Sequence, residues 1–319
     1  MRLEDIGFYT LSEKRAKNAS EASPLWRCEI LLTDRCNFSC PYCRGLPMGL
    51  RGDLPTTAAA AVLRLWLEQG LKNVRFSGGE PTLYSGLADL VAQCRAGGVE
   101  RIAVSTNGSA PLSTYRALLA AGVNDFSVSL DGCCSTTMNR MSGGNGQAWE
   151  TVIGNIREMA RETYVTAGMV FTDDNTEEAC SAILFADSLG VSDIRIIPAA
   201  QYAKALQVLG NLPAEILQKY PILRYRVLGA STGQTVRGIM RNDSGRCRLV
   251  LDDIAVAGAW HFPCIIYLRE GGAPIGRVGP QMRKERAEWS RTFEPKADPI
   301  CRNMCLDVCR EYNRVAAND

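Results

Sequence analysis

Three cysteines near the start of the chain, Cys36, Cys40 and Cys43, have the residue type and the spacing of a soft-metal site. The spacing C-x3-C-x2-C places three thiolates on one short loop, where they can surround an iron–sulfur cluster or a zinc ion. Zinc usually takes four protein ligands, and no fourth cysteine or histidine lies near this run. A [4Fe–4S] cluster held by three cysteines keeps one iron open to a substrate or cofactor. The run therefore favours such a cluster, with a structural zinc knuckle as the alternative.

A glycine-rich turn with an acid follows the cysteine run, between one stretch that predicts a strand and another that predicts a helix. The four residues of the turn are Gly78, Gly79, Glu80 and Pro81. Paired glycines let a backbone approach a ligand closely, and the carboxylate that follows them can bind an ammonium group. Taken alone, such a run is an ordinary acidic turn. Its position after a strand and downstream of the three cysteines favours a ligand-binding loop.

Polar residues end two further predicted strands. Asn107 follows the strand predicted at 101–105, and Ser129 and Asp131 lie at the end of the strand predicted at 125–130. Ligands of parallel α/β folds bind beyond the carboxyl ends of the strands, so these side chains are candidates for the same site. The alternative is that both are ordinary strand-ending turns.

Together, these motifs resemble the radical S-adenosylmethionine (SAM) superfamily, whose signature is C-x3-C-x2-C with an aromatic residue, here Tyr42, before the last cysteine. The resemblance implies a [4Fe–4S] cluster on the three cysteines, with SAM at its open iron. It implies that the glycine-rich turn holds the amino group of SAM, that Ser129 and Asp131 lie near the ribose, and that Arg140 contacts SAM. The residues that this resemblance assigns to SAM are Gly78, Gly79, Glu80, Pro81, Asn107, Ser129, Asp131 and Arg140.

The composition is that of an ordinary globular protein, with 46% hydrophobic and 22% charged residues among 319. No apolar run approaches the roughly 20 residues of a membrane span, and the N-terminus has no apolar signal segment, so we expect a cytoplasmic protein without a membrane partner. The net charge of +2 provides no broad basic face, so we expect no nucleic-acid partner, with a local RNA contact as the alternative. The chain has thirteen cysteines, and because a reducing compartment disfavours disulfides, metal ligation better explains the clustered ones. Cys28, Cys94 and Cys180 lie inside apolar strand or helix patterns and are expected to be core residues.

Strand-like and helix-like stretches alternate along residues 28–198. The predicted strands are Cys28–Thr33, Asn73–Phe76, Arg101–Ser105, Asp125–Leu130, Tyr164–Phe171 and Asp193–Ile197. The predicted helices are Thr57–Glu68, Leu87–Arg95, Leu112–Ala121, Ala148–Arg161 and Thr176–Leu189. Six βα units in succession predict an α/β fold whose parallel sheet forms a partial (βα)6 barrel, which is also the fold that the resemblance implies. The cysteine run and the glycine-rich turn then follow strands at the same rim.

Five further cysteines lie near the C-terminus: Cys247, Cys264, Cys301, Cys305 and Cys309. An alternating apolar run between the first two predicts a β-hairpin with a thiol at each end. The spacing of four would place the other three on one side of a helix, with a loop as the alternative. Ligand-like spacing of two groups indicates a metal site rather than core cysteines. The segment resembles the SPASM or twitch extension of radical SAM enzymes, which implies one auxiliary [4Fe–4S] cluster on four of the five.

The patterning divides the chain into four predicted parts. They are an N-terminal extension at 1–27 that packs on the barrel or over its mouth, the partial barrel at 28–198, a bridging segment at 199–245 that contains a helix at Ala214–Lys219, and a cysteine-rich auxiliary-cluster domain at 246–319.

A vicinal pair, Cys133 and Cys134, follows Asp131 closely. Because the resemblance places Asp131 near the SAM ribose, a thiol at this point could donate a hydrogen atom to a substrate radical. The alternative is a turn that contains two small residues.

The resemblance implies an enzyme that reductively cleaves SAM to a 5′-deoxyadenosyl radical and abstracts hydrogen from a substrate. The barrel region is similar to the molybdopterin-precursor GTP cyclase group, but the auxiliary cysteines are spaced differently. We therefore expect dehydrogenation, epimerisation or rearrangement of a small polar substrate such as a sugar or aminocyclitol, by an oxidoreductase or isomerase. A reductase with flavodoxin, or a ferredoxin, is the expected electron donor. The alternatives are a ribosomal-peptide maturase and a non-catalytic iron–sulfur sensor.

Overall fold

A computed structural model describes residues 2–7, 11–46, 49–198 and 209–317 of the chain. The strands in these ranges are β1 (Arg27–Thr33), β2 (Asn73–Gly78), β3 (Arg101–Thr106), β4 (Asp125–Ser129), β5 (Tyr164–Phe171), β6 (Asp193–Pro198), β7 (Asp253–Ala257), β8 (Trp260–Phe262) and β9 (Gly276–Arg277). The α-helices are α1 (Glu13–Asn18), α2 (Thr56–Leu67), α3 (Leu87–Ala96), α4 (Leu112–Ala121), α5 (Ser135–Met141), α6 (Trp149–Glu162), α7 (Ala179–Ser188), α8 (Ala214–Lys219), α9 (Pro221–Ser231), α10 (Ile265–Arg269), α11 (Met282–Thr292), α12 (Pro299–Met304) and α13 (Asp307–Ala316).

The chain forms two compact units. The first unit comprises Met1–Arg35, Arg44–Ile102 and Arg237–Asp319, and the second comprises Cys36–Cys43 and Ala103–Val236. The three cysteines of the first motif thus belong to the second unit, whereas the glycine-rich turn and the five late cysteines belong to the first.

In the first unit, β1 is the central strand and pairs in parallel with both β2 and β7. Its residues Ile30, Leu31 and Leu32 are fully buried, which is the continuous apolar run expected of a parallel strand that is covered on both faces. The antiparallel strands β8 and β9 extend the sheet beyond β7, and the β7–β8 hairpin pairs Ala257 with Trp260. A hairpin is therefore present between the first two late cysteines, but Leu249–Leu251 form a 3-10 helix before it, so only Cys264 lies near an end of the hairpin and Cys247 does not.

In the second unit, β4 pairs in parallel with β3, β5 pairs with β4, and β6 pairs with β5. Helices connect these strands and cover them with regularly spaced apolar residues. On α6, for example, Val152, Ile156 and Met159 are buried at intervals of three and four residues. The sequence-based prediction of an α/β fold with a parallel sheet and a βα succession is confirmed.

Several helices were not predicted, among them α5, α9 and α11. The helix predicted at Ala214–Lys219 is present as α8. Pro221 begins the next helix, α9, where its missing N–H has no helical partner to lose. The single helix expected through the last three cysteines is also interrupted. Cys305 has extended backbone angles (φ −56°, ψ 134°), so α12 ends before it and α13 begins at Asp307.

The N-terminal segment packs against the last helix of the same unit. The Arg15 guanidinium pairs with the Asp252 carboxylate and lies 4.6 Å from the ring centroid of Trp26. The Tyr312 hydroxyl on α13 donates to the same Asp252 carboxylate at 2.9 Å. Residues from the two ends of the chain thus share one buried acid within the first unit.

No helix in the described ranges has the length and the apolar character needed to cross a bilayer. The four-part domain division stays a prediction. Residues 1 and 8–10 of its extension and residues 199–208 of its bridging segment lie outside the described residues.

Candidate cluster and cofactor sites

Residues 36–43, termed the cluster loop, carry the three cysteines of the first motif. Cys36 and Cys43 are exposed and Cys40 is half-buried. Burial raises the pKa of the Cys40 thiol to about 11; a hydrogen bond with Tyr42 opposes this rise, and the negative charges of Asp131, Cys43 and Cys36 add to it. Negative charge on Cys36 or Cys43 therefore disfavours the Cys40 thiolate, and cationic iron would offset that effect.

Asn37 anchors the start of the cluster loop to the turn after β3. Its Oδ1 accepts from Asn107 Nδ2 at 2.8 Å, and its Nδ2 donates to Ser109 Oγ at 2.8 Å. Ser109 in turn donates from its backbone N–H to Asn107 Oδ1 at 3.0 Å. Asn107, predicted to line the SAM cleft, thus contacts the loop that carries the cysteines.

Ser39 anchors the middle of the loop to the end of α5. Its N–H donates to the Ser142 carbonyl at 3.2 Å. Gly143, which follows, has φ +71°, and a Cβ on it would lie 2.2 Å from the Ser39 carbonyl oxygen. Only glycine fits at this contact.

We expect Gly143→Ala to displace the cluster loop and lower the iron content from about eight toward about four atoms per chain, because one of two [4Fe–4S] clusters loses its support. Gly144→Ala is the matched control: Gly144 also has a positive φ, +97°, but nothing lies within 4 Å of a Cβ there. Iron analysis after anaerobic reconstitution measures both. Equal iron in the two variants would show that the Ser39 contact does not support the cluster.

Tyr42 anchors the end of the loop to the turn after β4. Its hydroxyl donates to Asp131 Oδ2, while Asp131 Oδ1 accepts from the Val170 N–H at 2.7 Å. Burial raises the pKa of Asp131 to about 6, and both hydrogen bonds oppose that rise. Ser129, the other predicted ribose contact, is exposed at the end of β4. Both oxygens of Asp131 are used within the protein, and its contact with SAM stays a prediction.

The glycine-rich turn of the first unit packs against the backbone that follows β1. Gly79 N–H donates to the Thr33 carbonyl at 2.7 Å, and Glu80 N–H donates to the Arg35 carbonyl at 2.8 Å. A Cβ on Gly79 would lie 2.1 Å from the Arg35 carbonyl oxygen, and one on Gly78 would lie 2.3 Å from that of Thr33. The two glycines are therefore required by close backbone approach.

Glu80 and Pro81 complete this turn at the start of a short 3-10 helix. The Glu80 carboxylate is 1% exposed and accepts from the hydroxyl of Thr82 at 2.7 Å and from its N–H at 3.1 Å. Arg269, at the end of α10, donates to the Gly78 carbonyl at 2.8 Å and to the Gly45 carbonyl at 2.7 Å. A side chain from the C-terminal region thus fixes the turn within the first unit.

In the second unit, the Glu178 carboxylate lies next to Arg140 and the vicinal cysteines. It accepts from Thr137 Oγ1 at 2.6 and 2.7 Å and from Arg140 Nη2 at 3.2 Å, and Cys133 Sγ lies 3.8 Å from it. Burial and the Glu178 charge raise the pKa of the Cys133 thiol, whereas hydrogen bonding with Thr137 lowers the pKa of Cys134. Of the two candidate donors, Cys133 is half-buried and directed at Glu178, whereas Cys134 is exposed.

The five late cysteines lie outside the hairpin strands of the first unit: Cys247 precedes a 3-10 helix at Leu249–Leu251, Cys264 caps α10, Cys301 lies on α12, Cys305 ends it, and Cys309 lies on α13. All are half-buried as residues, and all five thiols interact electrostatically with others of the set. Burial raises the pKa of each thiol, that of Cys264 to about 12. Such thiols would remain protonated without a metal, so iron binding would have to replace their protons.

A pocket beside these cysteines is lined by Cys247, Cys301 and Cys305 together with Arg310 and Asn313. In the described part of the chain, no three cysteine, histidine or acidic side chains converge on a point where one ion could be held. A cluster has a different requirement, since each thiolate binds its own iron. Several buried thiols around one pocket fit a cluster in their donor chemistry.

Arg286 on α11 is fully buried beside this region and makes five hydrogen bonds. It donates to the carbonyl oxygens of Val250 (2.9 Å), Phe262 (2.9 Å), Pro263 (3.3 Å) and Asp253, and to His261 Nδ1 (3.2 Å). Because a guanidinium only donates, His261 Nδ1 carries no proton, and Nε2 donates to Glu285 at 2.9 Å. Burial and the Arg286 charge lower the pKa of His261 to about 4, so it is neutral at pH 7.

All predicted site residues lie in the described ranges, and the structure groups them within the units. The second unit joins the cluster loop to Asn107 and Asp131, and places Arg140 with the vicinal cysteines; the first unit holds the glycine-rich turn and the late cysteines. Sequence reasoning missed Asn37, Glu178, Arg269, Arg286 and Asn313. Only Asn37 carried a signal, its position inside the cysteine run.

Comparison with known proteins finds that residues 30–186 match the Radical SAM superfamily. A probable GTP 3′,8-cyclase from Metallosphaera sedula is 30% identical over 178 residues, which cover 54% of this chain and 56% of the relative. A GTP 3′,8-cyclase from Synechococcus sp. is 31% identical over 192 residues, covering 58% and 54%. The chain spans about half the length of the curated relatives it matches.

Solved structures share the fold at lower identity. Polyhistidine-tagged anSMEcpe with bound AdoMet has a TM-score of 0.63 at 16% identity, covering 92% of this chain and 84% of the other. Streptococcus suis SuiB bound to the precursor peptide SuiA has a TM-score of 0.61 at 17% identity, covering 88% and 66%. Identity this low shows the fold and does not transfer a substrate.

Proposed function

Residues 30–186 form a radical SAM domain, and from this premise we propose that the protein reductively cleaves SAM and abstracts hydrogen from a small polar substrate. The cofactors predicted from the sequence are confirmed: a [4Fe–4S] cluster with SAM, and one auxiliary [4Fe–4S] cluster in the cysteine-rich C-terminal region. When bound, the SAM-binding cluster would supply one electron to SAM, and SAM would in turn supply methionine and the 5′-deoxyadenosyl radical that abstracts hydrogen. Which residues hold them is part of the proposal.

The observation that carries the proposal is the anchoring of the cluster loop. Hydrogen bonds of Asn37, Ser39 and Tyr42 hold the loop at three points, while the residues Cys36 and Cys43 stay exposed. A loop fixed in this way presents its thiols without further ordering, so little conformational entropy opposes cluster binding. Cys36, Cys40 and Cys43 would be the ligands of the SAM-binding cluster.

The SAM-binding residues would be Gly78, Gly79, Glu80, Pro81, Asn107, Ser129, Asp131 and Arg140. The two glycines are set by backbone contacts, so their N–H and carbonyl groups occupy fixed positions. The buried Glu80 carboxylate would accept from the SAM ammonium group. The auxiliary cluster would take four ligands from the five late cysteines.

For the substrate, the names of the curated relatives favour a small molecule over a peptide. Two relatives at about 30% identity are named as GTP 3′,8-cyclases, whereas the structures whose titles mention peptides share only the fold. GTP itself is therefore the second candidate beside a sugar or aminocyclitol. A non-catalytic sensor has no support from relatives named as enzymes. The electron donor, the cytoplasmic location and the oxidoreductase or isomerase type stay predictions.

Deuterium transfer tests the proposal. The reduced protein is incubated anaerobically with SAM and, in separate arms, with GTP deuterated at C3′, with ring-deuterated sugars or aminocyclitols, and with a uniformly deuterated peptide. We expect deuterium in 5′-deoxyadenosine from a small polar substrate. GTP is tested at C3′ because forming a 3′,8 bond must remove that hydrogen. Transfer from the peptide alone would overturn the small-substrate proposal.

The same reaction in heavy water tests the hydrogen-donor role proposed for the vicinal pair. A thiol exchanges its hydrogen with solvent, so a product that gains solvent deuterium through Cys133 should lose it in Cys133→Ser while SAM cleavage continues. Cys180→Ser, at another half-buried cysteine of the second unit, is the control. A product without solvent deuterium, and two electrons more oxidised than the substrate, would exclude the donor.

A further inference from the structure

Asn313 stands beside the late cysteines on the last helix and makes three hydrogen bonds. It lies on α13 one helical turn after Cys309, and it is 8% exposed. Its Oδ1 accepts from the N–H groups of Arg248 at 2.7 Å and of Leu249 at 3.0 Å. These are the two residues that follow Cys247, so Asn313 fixes the backbone that directs this cysteine.

The other end of the Asn313 amide faces the cysteine itself. Nδ2 lies 3.7 Å from Cys247 Sγ, within hydrogen-bond range for sulfur. The amide orientation is fixed by chemistry: two backbone N–H groups point at one end of the amide, so that end must be the oxygen. Turning the amide would place its NH2 group against two donors. The N–H group is therefore directed at the sulfur.

The hydrogen bonds around the late cysteines differ from one thiol to the next. Cys264 Sγ accepts from the Tyr267 N–H at 3.4 Å, as Cys247 accepts from Asn313, whereas Cys305 Sγ donates toward the Leu306 carbonyl at 3.8 Å. N–H donors aimed at sulfur stabilise the thiolate that binds iron and favour the reduced state of a cluster. Asn313 also lines the pocket shared by Cys247, Cys301 and Cys305.

We propose that Asn313 is a positioning residue of the auxiliary cluster, which orients Cys247 through the backbone and raises the reduction potential of the cluster through its N–H···S bond. The inference rests on the proposed ligand role of Cys247. It does not depend on SAM cleavage or on the substrate.

Two substitutions separate the backbone contact from the N–H···S bond. Asn313→Asp keeps an oxygen for the Arg248 and Leu249 N–H groups but removes the donor that faces the sulfur, whereas Asn313→Leu removes both functions. Each is made in the whole chain carrying Cys36→Ala, Cys40→Ala and Cys43→Ala, so that only the auxiliary cluster gives a signal. Iron analysis and EPR-monitored redox titration are the readouts, and neither requires activity.

We expect Asn313→Asp to shift the auxiliary-cluster potential to a more negative value, or to lose the cluster while the circular dichroism spectrum is unchanged. Asn303→Asp adds the same charge at an exposed position between Cys301 and Cys305 and should leave the potential near that of the parent. A parent-like potential in Asn313→Asp would contradict the role of the N–H···S bond and overturn the proposal. Loss of iron in Asn303→Asp as well would attribute the effect to the added charge and would also overturn it.

A measurement without substitution keeps the proposal testable if Asn313→Asp does not fold. In the same triple-alanine chain labelled with 15N-asparagine, pulsed EPR of the reduced cluster should detect a coupled asparagine nitrogen. Absence of any 15N coupling would overturn the proposal. If coupling is present, its retention in Asn313→Leu would assign it to another asparagine and overturn the proposal as well.

Discussion

Replacing any one of Cys36, Cys40 or Cys43 by alanine is expected to leave a folded protein that forms no detectable 5′-deoxyadenosine. The three thiols are the only cysteines of the cluster loop, and a cluster missing one of three ligands cannot keep SAM at an open iron. The hydrogen bonds that anchor the loop, from Asn37 to Asn107, from Ser39 to Ser142 and from Tyr42 to Asp131, do not involve the replaced sulfur atoms, so the fold should survive. Anaerobic turnover with SAM and dithionite, followed by chromatography, measures the loss.

Iron content provides the second readout of these variants. The intact protein should hold about eight iron atoms per chain, and the triple-alanine chain about four, if both clusters are of the [4Fe–4S] type. Cys180→Ala, at a cysteine on α7 outside both groups, should keep the full content. About four iron atoms in the intact protein would contradict the presence of an auxiliary cluster.

Arg286→Met is expected to lower the free energy of unfolding by about 3 to 5 kcal/mol, the range for breaking a buried charged network. The substitution leaves four buried carbonyl oxygens and His261 Nδ1 without their donor. The carbonyl acceptors belong to residues around the hairpin, so the substitution should destabilise mainly the region that contains the late cysteines. Denaturant unfolding of the apoprotein measures it.

Arg291→Met is the matched control on the same helix. Arg291 is half-exposed and pairs with Glu288 at 2.8 Å and with Glu21, and surface pairs of this kind contribute about 0 to 1 kcal/mol. Arg286→Lys keeps the charge but not the planar fork of donors and should fall between the two. Equal unfolding free energies for Arg286→Met and Arg291→Met would contradict the structural role of the buried guanidinium.

The proposed ligands of the SAM-binding cluster could be predicted from the sequence because they lie in one short run. The residues that anchor the cluster loop could not be predicted. Asn37 and Asn107 are 70 residues apart, and Tyr42 and Asp131 are 89 apart. Nothing in a single sequence pairs an asparagine with another at that distance. The role of Gly143 likewise depends on the Ser39 carbonyl, which approaches it only in the folded chain.

The C-terminal region shows where local patterns fail. The spacing of Cys301, Cys305 and Cys309 fits one helix, but Cys305 is extended, and neither glycine nor proline marks the break. Arg286 lies in a stretch of mixed charge that is typical of a surface helix. Its burial could not be predicted from that stretch, because its five acceptors come from the hairpin and the residues that flank it. By contrast, the βα succession was predicted well, since its strands are continuous apolar runs that need no distant partner to be recognised.

Formation of 5′-deoxyadenosine by the wild-type protein is the most direct test of whether the chain carries out radical SAM chemistry. The protein is reconstituted anaerobically with iron and sulfide, reduced with dithionite, and supplied with SAM. We expect 5′-deoxyadenosine and methionine in equal amounts, both dependent on the reductant and absent from the triple-alanine chain. A fully loaded protein that binds SAM but yields no 5′-deoxyadenosine, with or without candidate substrates, would contradict the proposed function.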